Sequence, residues 1–519
     1  MHRRSETSHA DHPHPAASLA FCLVLLLCLA MFWLPTQVSA PNERSRLYLA
    51  HALATRGEID VTAEWERWGA IFDIAARDGR MYADKAPGSS VLAMPAVRLA
   101  YLVEDRVEDR TLLLYARFGV MLPAALAGMW LLLGLLRALG VQGWRPHAAV
   151  LGLYGASHAL HYGHAYFGHA LVMTALLATW RLTQVALAHP SRALTAGIGA
   201  GCAGGIAFAI EYQAALVLVA LGIGLLSDPK ARRWSLLAAI GVGALPWVAL
   251  TLAYNHAAFG NALSTSYQNL HHEASVAIHQ VGFGGVSHPT LRSLSGLLVG
   301  PARGLLFAAP ALLLAPLLLR TAPTLPRWLA LSAALTFAGF LYVAASFGLW
   351  TAGWGMGPRI LLPALPALAI ALALVLEQAH RRGDAQPALV LLIVGWASSI
   401  ANLALVATFP ESPPHVAVPL REVALPMLTQ GCLAPNLLHT LGWVRPGSAL
   451  PFLATAYLLC GLWALTMTRC LPRATRADTA YGTLRAVTVL GLWILLLASF
   501  ATTAGGVERH LQWACSLSS

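Results

Sequence analysis

The chain has 519 residues, of which 57% are hydrophobic and only 11% charged, and its mean hydropathy is +0.62. Uncharged runs long enough to cross a bilayer recur along it, which excludes a soluble globular protein and predicts an all-α polytopic membrane protein. The formal net charge is +11, but the basic residues are scattered over short loops, which argues against a nucleic-acid partner.

The first predicted element is an apolar run over residues 16–38, preceded by a basic tail at residues 1–15. The basic start and the small residues before Pro41 are typical of a secretory signal. However, Pro41 would directly follow the cleavage site, and the run is long enough to span a membrane. We therefore interpret it as the first transmembrane helix, with the N-terminal tail in the cytoplasm.

Twelve further apolar runs bring the predicted total to about 13 spans. They cover residues 112–136, 147–163, 168–187, 194–211, 213–227, 234–254, 302–319, 328–349, 360–378, 387–408, 449–468 and 485–504. With the N-terminus inside, every short cytoplasmic connection carries at least two basic residues, as the positive-inside rule expects. Residues 40–111 then lie outside, and residues 89–103 form an interfacial helix, because this segment is short and has Arg98 at its centre.

The outer segment 40–111 begins with a predicted helix that ends at Gly57, a residue typical of helix C-caps. Glu43 lies at the start of this helix, which we expect at the membrane surface with Arg44 and Arg46 nearby. The helix dipole and the two arginines favour an ionised carboxylate, suited to act as a base. An ordinary helix cap, whose replacement by Gln would cost well under about 1 kcal/mol of stability and little activity, is the alternative. A catalytic base would lose its activity on that replacement without a loss of stability.

The second polar feature of this segment is the stretch Gly79–Gly88, which contains Tyr82, Asp84 and Lys85 ahead of a Pro-Gly turn. A lysine is a compact phosphate binder, and a lipid phosphate lies at the membrane interface. The turn therefore predicts a phosphate site at Lys85. A lysine that only pairs with Asp84 is the alternative.

Together, "ERSR" at residues 43–46, "RGEID" at 56–60 and "GRMYADKAPG" at 79–88 resemble the first outer loop of the GT-C membrane glycosyltransferases. The similarity is to the bacterial branch that includes protein O-mannosyltransferases and aminoarabinose transferases. The resemblance implies a GT-C core at residues 16–408 with juxtamembrane helices in loop 40–111. An outer loop and C-terminal spans follow at residues 409–519. It also implies a bacterial plasma membrane with the active site outside the cytoplasm.

Three later segments extend the resemblance. His164 and His169 lie in the second outer loop, where the family usually offers an aspartate, so the second carboxylate of the usual pair stays unassigned. Glu211 stands within an apolar run, where an ionisable residue is costly and indicates a function or a partner. Arg359 follows the Gly- and Trp-rich stretch that contains Trp354, and is predicted to bind the donor phosphate next to aromatic surface.

The resemblance implies an inverting transfer of a sugar from a polyprenyl-phosphate donor to an unidentified glycan, lipid or protein acceptor. Glu43 deprotonates or orients the acceptor, while Lys85 and Arg359 neutralise the departing phosphate. A polymerase or ligase of lipid-linked glycans, and a lipid-linked sugar transporter or flippase, are the alternatives. No cofactor is predicted; related enzymes use a divalent ion, but only one carboxylate is placed here. Cys432 and Cys515 both fall outside the cytoplasm, and their pairing is left open.

Overall fold

The computed structural model describes residues 13–32, 40–319, 325–445, 447–471 and 476–500, together with positions 512, 515 and 516. Several predicted segments therefore lie partly outside the described residues. They are the tail 1–15 up to residue 12, the first span from residue 33, the last span from residue 501, residue 446 of the outer loop, and residues 320–324 and 472–475 of two predicted cytoplasmic loops.

Within the described residues, nine helices are long and apolar enough to cross a membrane. They are Asp109–Ala138, Gly168–Ala188, Pro190–Ile210, Trp234–Phe259, Arg327–Ser346, Arg359–Arg382, Ala385–Val406, Leu450–Cys470 and Ala480–Ser499. Three shorter apolar helices are Pro15–Ala30, Gly88–Val103 and Tyr212–Ser227. The predicted helical, multi-pass class is thus confirmed, whereas the total of 13 spans stays a prediction.

The α-helices in chain order are α1 Pro15–Ala30, α2 Pro41–Arg56, α3 Thr62–Trp68, α4 Gly88–Val103, α5 Asp109–Ala116, α6 Leu122–Ala138, α7 Arg145–Tyr154, α8 Ala159–Tyr162, α9 Gly168–Ala188, α10 Ala193–Ile210, α11 Ala215–Ser227, α12 Trp234–Phe259, α13 Glu273–His279, α14 Leu291–Leu298, α15 Leu305–Ala308, α16 Pro310–Leu314, α17 Arg327–Ser346, α18 Leu365–Arg382, α19 Ala385–Val406, α20 Leu425–Thr429, α21 Leu437–Thr440, α22 Leu450–Cys470 and α23 Arg476–Ser499. A π-helix, Arg117–Met121, joins α5 to α6, and a 3-10 helix, Arg359–Ala364, leads into α18.

The outer segment 40–111 forms α2, α3, a β-hairpin and α4 in that order. Gly57 ends α2 with φ at 70° and its N–H bonded to Ala52 and Leu53, which confirms the predicted C-cap. The hairpin pairs β1 Ile74–Arg77 with antiparallel β2 Arg80–Ala83. Sequence analysis did not predict this hairpin.

The turn of the hairpin follows from its two central residues. Asp78 and Gly79 have φ values of 52° and 76°, as a type I′ turn requires. Asp and Gly adopt these angles more readily than other residues, and this turn matches the twist of the flanking strands. The hairpin therefore ends directly before Asp84 and Lys85 and fixes where that turn begins.

Helix α10 is packed closely against α12 through small residues. Gly197, Gly201 and Gly205, spaced four residues apart, face Ala239, Ile240 and Ala244, and a side chain on any of them would collide with α12. Small residues at this spacing let membrane helices approach closely. Because α10 ends at Ile210, this contact fixes the position of Glu211.

We predict that Asp105, which is exposed between α4 and α5, and Arg232, which is exposed between α11 and α12, lie on opposite sides of the membrane. The distribution of Lys and Arg requires this arrangement. Single cysteines at the two positions, treated in intact cells with an impermeant maleimide, should differ: only Asp105→Cys should react. Reaction of both sites from one side would contradict the proposed orientation.

Candidate active site

Glu43, at the first turn of α2, forms a buried ion pair with Arg117. Arg117 Nη2 donates to Glu43 Oε1 and Oε2 at 2.7 and 2.9 Å, and its Nε donates to Oε1 at 3.2 Å. The backbone N–H of Tyr166 donates to Oε1 at 2.7 Å. Both side chains are almost fully buried. Oε1 therefore accepts three of these hydrogen bonds and Oε2 accepts one, so Oε2 is better able to accept a further hydrogen bond.

This geometry corrects the expected environment of Glu43. The residue is buried within the protein, and its cationic partner is Arg117. Arg44 pairs instead with Asp109 at 3.6 Å, and Arg46 pairs with Glu211. Glu43 is held inside the protein by Arg117 and the Tyr166 N–H, so a simple helix-capping role does not describe it.

A second buried ion pair joins the same face of α2 to the end of α10. Arg46 Nη2 lies 2.5 Å from Glu211 Oε1, while its Nη1 donates to Ser89 Oγ at 3.0 Å. His169 Nδ1 lies 3.8 Å from the same Glu211 oxygen. Only a glycine fits at position 168, because a Cβ there would collide with both Glu211 and Arg46. The predicted candidates Arg46, His169 and Glu211 are thus brought together.

The predicted phosphate turn is packed against α2. Ser45 Oγ donates to Asp84 Oδ1 at 2.8 Å, and Lys85 Nζ lies 2.6 Å from Asp84 and 3.0 Å from Asp73. Burial alone would lower the pKa of Lys85, but the carboxylates of Asp73 and Asp84 raise it above its ordinary value. Lys85 is therefore charged, but two acidic groups already balance it.

Gly88 explains how this turn is seated. A Cβ at Gly88 would lie 2.6 Å from the backbone carbonyl of Ala209, so only glycine allows the start of α4 to touch the end of α10. Tyr82 points elsewhere: it is buried with its ring 5.8 Å from that of Phe259. Tyr82, in the outer segment, therefore packs against Phe259.

Arg359 lies at the start of the 3-10 helix before α18. Its guanidinium is centred 5.2 Å from the Phe167 ring, and its Nη1 donates to the Trp354 carbonyl at 3.1 Å. Among the described residues it forms no ion pair, and its buried Nε has no hydrogen-bond partner. Trp354 itself is 45% exposed. Arg359 is therefore a cation whose charge the described residues leave unbalanced.

The charged groups share one electrostatic environment. The charges of Glu211, Arg359, Arg46 and Lys85 all act on His169. Arg303 is also buried in this part of the protein, where it donates to the carbonyls of loop residues, including Ser412 at 2.7 Å.

Segment 159–169, which includes His164, contacts two of the charged groups. Its Tyr166 N–H donates to Glu43, and its Phe167 ring lies against Arg359. His164 is buried beside the backbone carbonyls of Leu160 and Phe32. Burial lowers its pKa well below the ordinary value, so its imidazole is neutral. His164 faces these carbonyls, whereas His169 faces Glu211.

Sequence analysis assigned no role to four buried residues of this environment: Arg117, His161, Arg303 and Glu411, whose Oε1 lies 3.7 Å from His161 Nε2. Arg117 stands within the apolar run 112–136, and the rule that singled out Glu211 applies to it equally. His161 belongs to the same histidine-rich stretch as His164. Arg303 lies at the start of the predicted span 302–319, so the same rule applies to it. For Glu411, which lies in the outer loop after residue 408, no comparable signal exists.

Two further expectations concern metals and cysteines. Among the described residues, no group of three or more His, Cys, Asp or Glu side chains is placed to hold a metal ion, and metal independence stays a prediction.

Cys432 and Cys515 form a disulfide, which settles the pairing that the sequence left open. An oxidising compartment favours such a bond.

Comparison with known proteins identifies the fold. No model of a known protein family and no curated protein sequence matches the chain. Among solved structures, ArnT from Cupriavidus metallidurans bound to undecaprenyl phosphate aligns over 88% of this chain and 76% of its own, with a TM-score of 0.51 and 15% sequence identity. Its apo state aligns over 88% and 77%, with a TM-score of 0.49 and 15% identity. The chain has the GT-C fold, as the resemblance implied.

We predict that removing either partner of the Glu43–Arg117 pair strongly destabilises the protein. Glu43→Gln or Arg117→Gln alone leaves one buried charge without its partner, which costs about 3–5 kcal/mol. The double variant removes both charges and should cost much less than the sum of the two. Thermal unfolding of the purified proteins in detergent checks this order. A Glu43→Gln protein as stable as wild type would contradict it.

Proposed function

We propose that the protein is a membrane glycosyltransferase that transfers a sugar from a polyprenyl-phosphate donor to an acceptor on the extracytoplasmic face, with inversion at the anomeric carbon. The GT-C fold and the undecaprenyl phosphate bound to ArnT, a protein of similar fold, support this proposal. The particular sugar and acceptor are not part of it.

The observation that carries the proposal is the unbalanced charge of Arg359. Arg117 and Arg46 are each paired with a glutamate, and Lys85 with two aspartates. Arg359 alone among these cations forms no ion pair in the described part of the chain. A planar guanidinium with free N–H groups matches the geometry of a phosphate, which would supply the missing negative charge.

The second cation of the proposed phosphate site is Lys85. An ammonium group has three N–H donors, and the contacts with Asp73 and Asp84 occupy two of them. The third is available for a phosphate oxygen. The two aspartates hold the ammonium in place and limit its attraction for other anions, so Arg359 provides most of the charge.

The proposed reaction joins the acceptor oxygen to the anomeric carbon as the bond to the phosphate oxygen breaks. Glu43 orients or deprotonates the acceptor hydroxyl through Oε2, which accepts a hydrogen bond from Arg117 at 2.9 Å. The bonding electron pair leaves with the lipid phosphate, whose growing charge Arg359 and Lys85 stabilise. No nucleotide sugar is needed for this step.

One experiment tests the class of reaction. The purified protein is given a panel of labelled undecaprenyl-phosphate monosaccharides and, separately, diphosphate-linked oligosaccharides, and release of sugar from the lipid is measured. Release from a monosaccharide donor supports the proposal. Consumption of only the diphosphate donors would indicate a polymerase or ligase, and movement of intact donor across vesicles without cleavage would indicate a transporter.

We predict that Arg359→Ala and Lys85→Ala both weaken binding of undecaprenyl phosphate. Loss of a charged hydrogen bond to phosphate should cost about 1.5–3 kcal/mol, or about one to two orders of magnitude in affinity. Thermal stability should separate the two variants. Arg359→Ala should unfold near the wild-type temperature, whereas Lys85→Ala should unfold lower because it leaves Asp73 and Asp84 without their cation.

A matched control for these variants is Arg80→Ala, in the same outer segment. The Arg80 side chain is 67% exposed and lies 3.7 Å from Asp60, so its loss should change neither binding nor stability by much. Retention of undecaprenyl phosphate, measured by mass spectrometry of the purified proteins, provides the readout. Wild-type retention in Arg359→Ala would remove Arg359 from the phosphate site.

We predict that the double variant Glu43→Gln/Arg117→Gln is slow: it should transfer sugar about 10²–10⁴ times more slowly than wild type. The double variant restores charge balance, so slow transfer by a stable protein would reflect the lost carboxylate and its partner. Transfer is measured with the donor that wild type uses. Activity within a few-fold of wild type would move the assignment from Glu43 to Asp84.

A further inference from the structure

His161, on helix α8, is a fully buried histidine. In the described part of the chain, neither of its ring nitrogens has a hydrogen-bond partner. A buried polar group without a partner is costly and calls for an explanation. In the described part of the chain the ring nitrogens of His158 and His164 also lack hydrogen-bond partners, but these rings lie beside the carbonyls of Pro358 and Leu160. His161 faces ionised side chains instead.

The surroundings of His161 connect the two halves of the proposed reaction. The charges of Arg117, Glu43 and Arg359 all act on its imidazole. Its ring lies 6.5 Å from that of Phe167, which is the ring under the Arg359 guanidinium. His161 is thus near both the carboxylate proposed to hold the acceptor and the cation proposed to hold the phosphate.

A carboxylate lies on another side of the ring. Glu411 Oε1 is 3.7 Å from His161 Nε2, and Glu411 is 4% exposed. This separation is slightly longer than a hydrogen bond, as is common for catalytic contacts before substrate binds. With the Nε2–H directed at Glu411, the tautomer leaves a lone pair on Nδ1 for another proton.

Glu43 already accepts several hydrogen bonds. Arg117 donates to both of its oxygens, and the Tyr166 N–H donates to one of them. These donors fix the carboxylate in place and leave Oε2 able to accept a hydrogen bond from one further hydroxyl. The geometry of Glu43 therefore suits it to orient that hydroxyl.

We infer that His161, supported by Glu411, is the general base that takes the proton from the acceptor hydroxyl, while Glu43 orients that hydroxyl. This inference rests on the proposed glycosyl transfer. The acceptor proton moves to Nδ1 as the oxygen bonds to the anomeric carbon, and the phosphate leaves with the electron pair of the broken bond. The resulting imidazolium is stabilised by Glu411.

The test compares a nucleophile that must lose a proton with one that need not. Purified protein is given the undecaprenyl-phosphate monosaccharide that wild type uses, with either methanol or azide as acceptor. His161→Gln should slow transfer to methanol by about 10²–10⁴-fold. It should change formation of the glycosyl azide by no more than a few-fold, because azide attacks without losing a proton. Retention of undecaprenyl phosphate should equal that of wild type.

The control is His147→Gln, at another buried histidine, whose Nε2 contacts Ser18 Oγ at 3.0 Å. This variant should leave both rates unchanged. Equal loss of both rates in His161→Gln would show a structural role, and loss of neither would show no role; either result overturns the inference. If wild type uses no undecaprenyl-phosphate donor at all, the proposed function fails, which is a separate result.

Discussion

The arrangement of the site depends on two buried ion pairs made by one face of α2. Glu43 and Arg46 are three residues apart, so they project from the same side of the helix, and they pair with Arg117 and Glu211. Buried pairs of this kind add little stability compared with apolar side chains, but breaking one is costly. The two pairs fix the position of α2, because the helix can pack only where both of its charged residues contact their partners. The outer segment is thereby fixed on the membrane helices in one position.

Charge balance around α2 then determines where an anion can bind. A cation already matched by a carboxylate attracts an added phosphate weakly, because the local net charge is near zero or negative. Lys85 between Asp73 and Asp84 is such a case, whereas Arg359 contacts an aromatic face and a carbonyl. In a medium of low dielectric constant, this difference is amplified. Arg359 and Lys85 therefore have different electrostatic surroundings, although sequence analysis proposed the same role for both.

Sequence analysis identified what depends on local pattern: the apolar helices, the Gly57 cap and the GT-C resemblance of the outer segment. It could not identify the partners, because Arg117 and Glu211 are 74 and 165 residues from the α2 charges that they balance. The position of Arg117 also depends on a π-helix, which changes the direction of side chains along an otherwise regular helix. Such turns are frequent at functional sites, but hydropathy does not reveal them.

The segment between α7 and α9 shows why residue type alone was insufficient there. Its contribution includes a backbone N–H from Tyr166 to Glu43, the Phe167 ring beneath Arg359, and the space that Gly168 leaves for Glu211. None of these contacts uses a side chain that a motif search would select. Because neighbouring residues of one short segment touch the acid, the cation and the second ion pair, their relative positions are set by backbone geometry. The same backbone geometry sets the positions of the histidines in this segment, and it places His161 near the groups proposed to hold the two substrates.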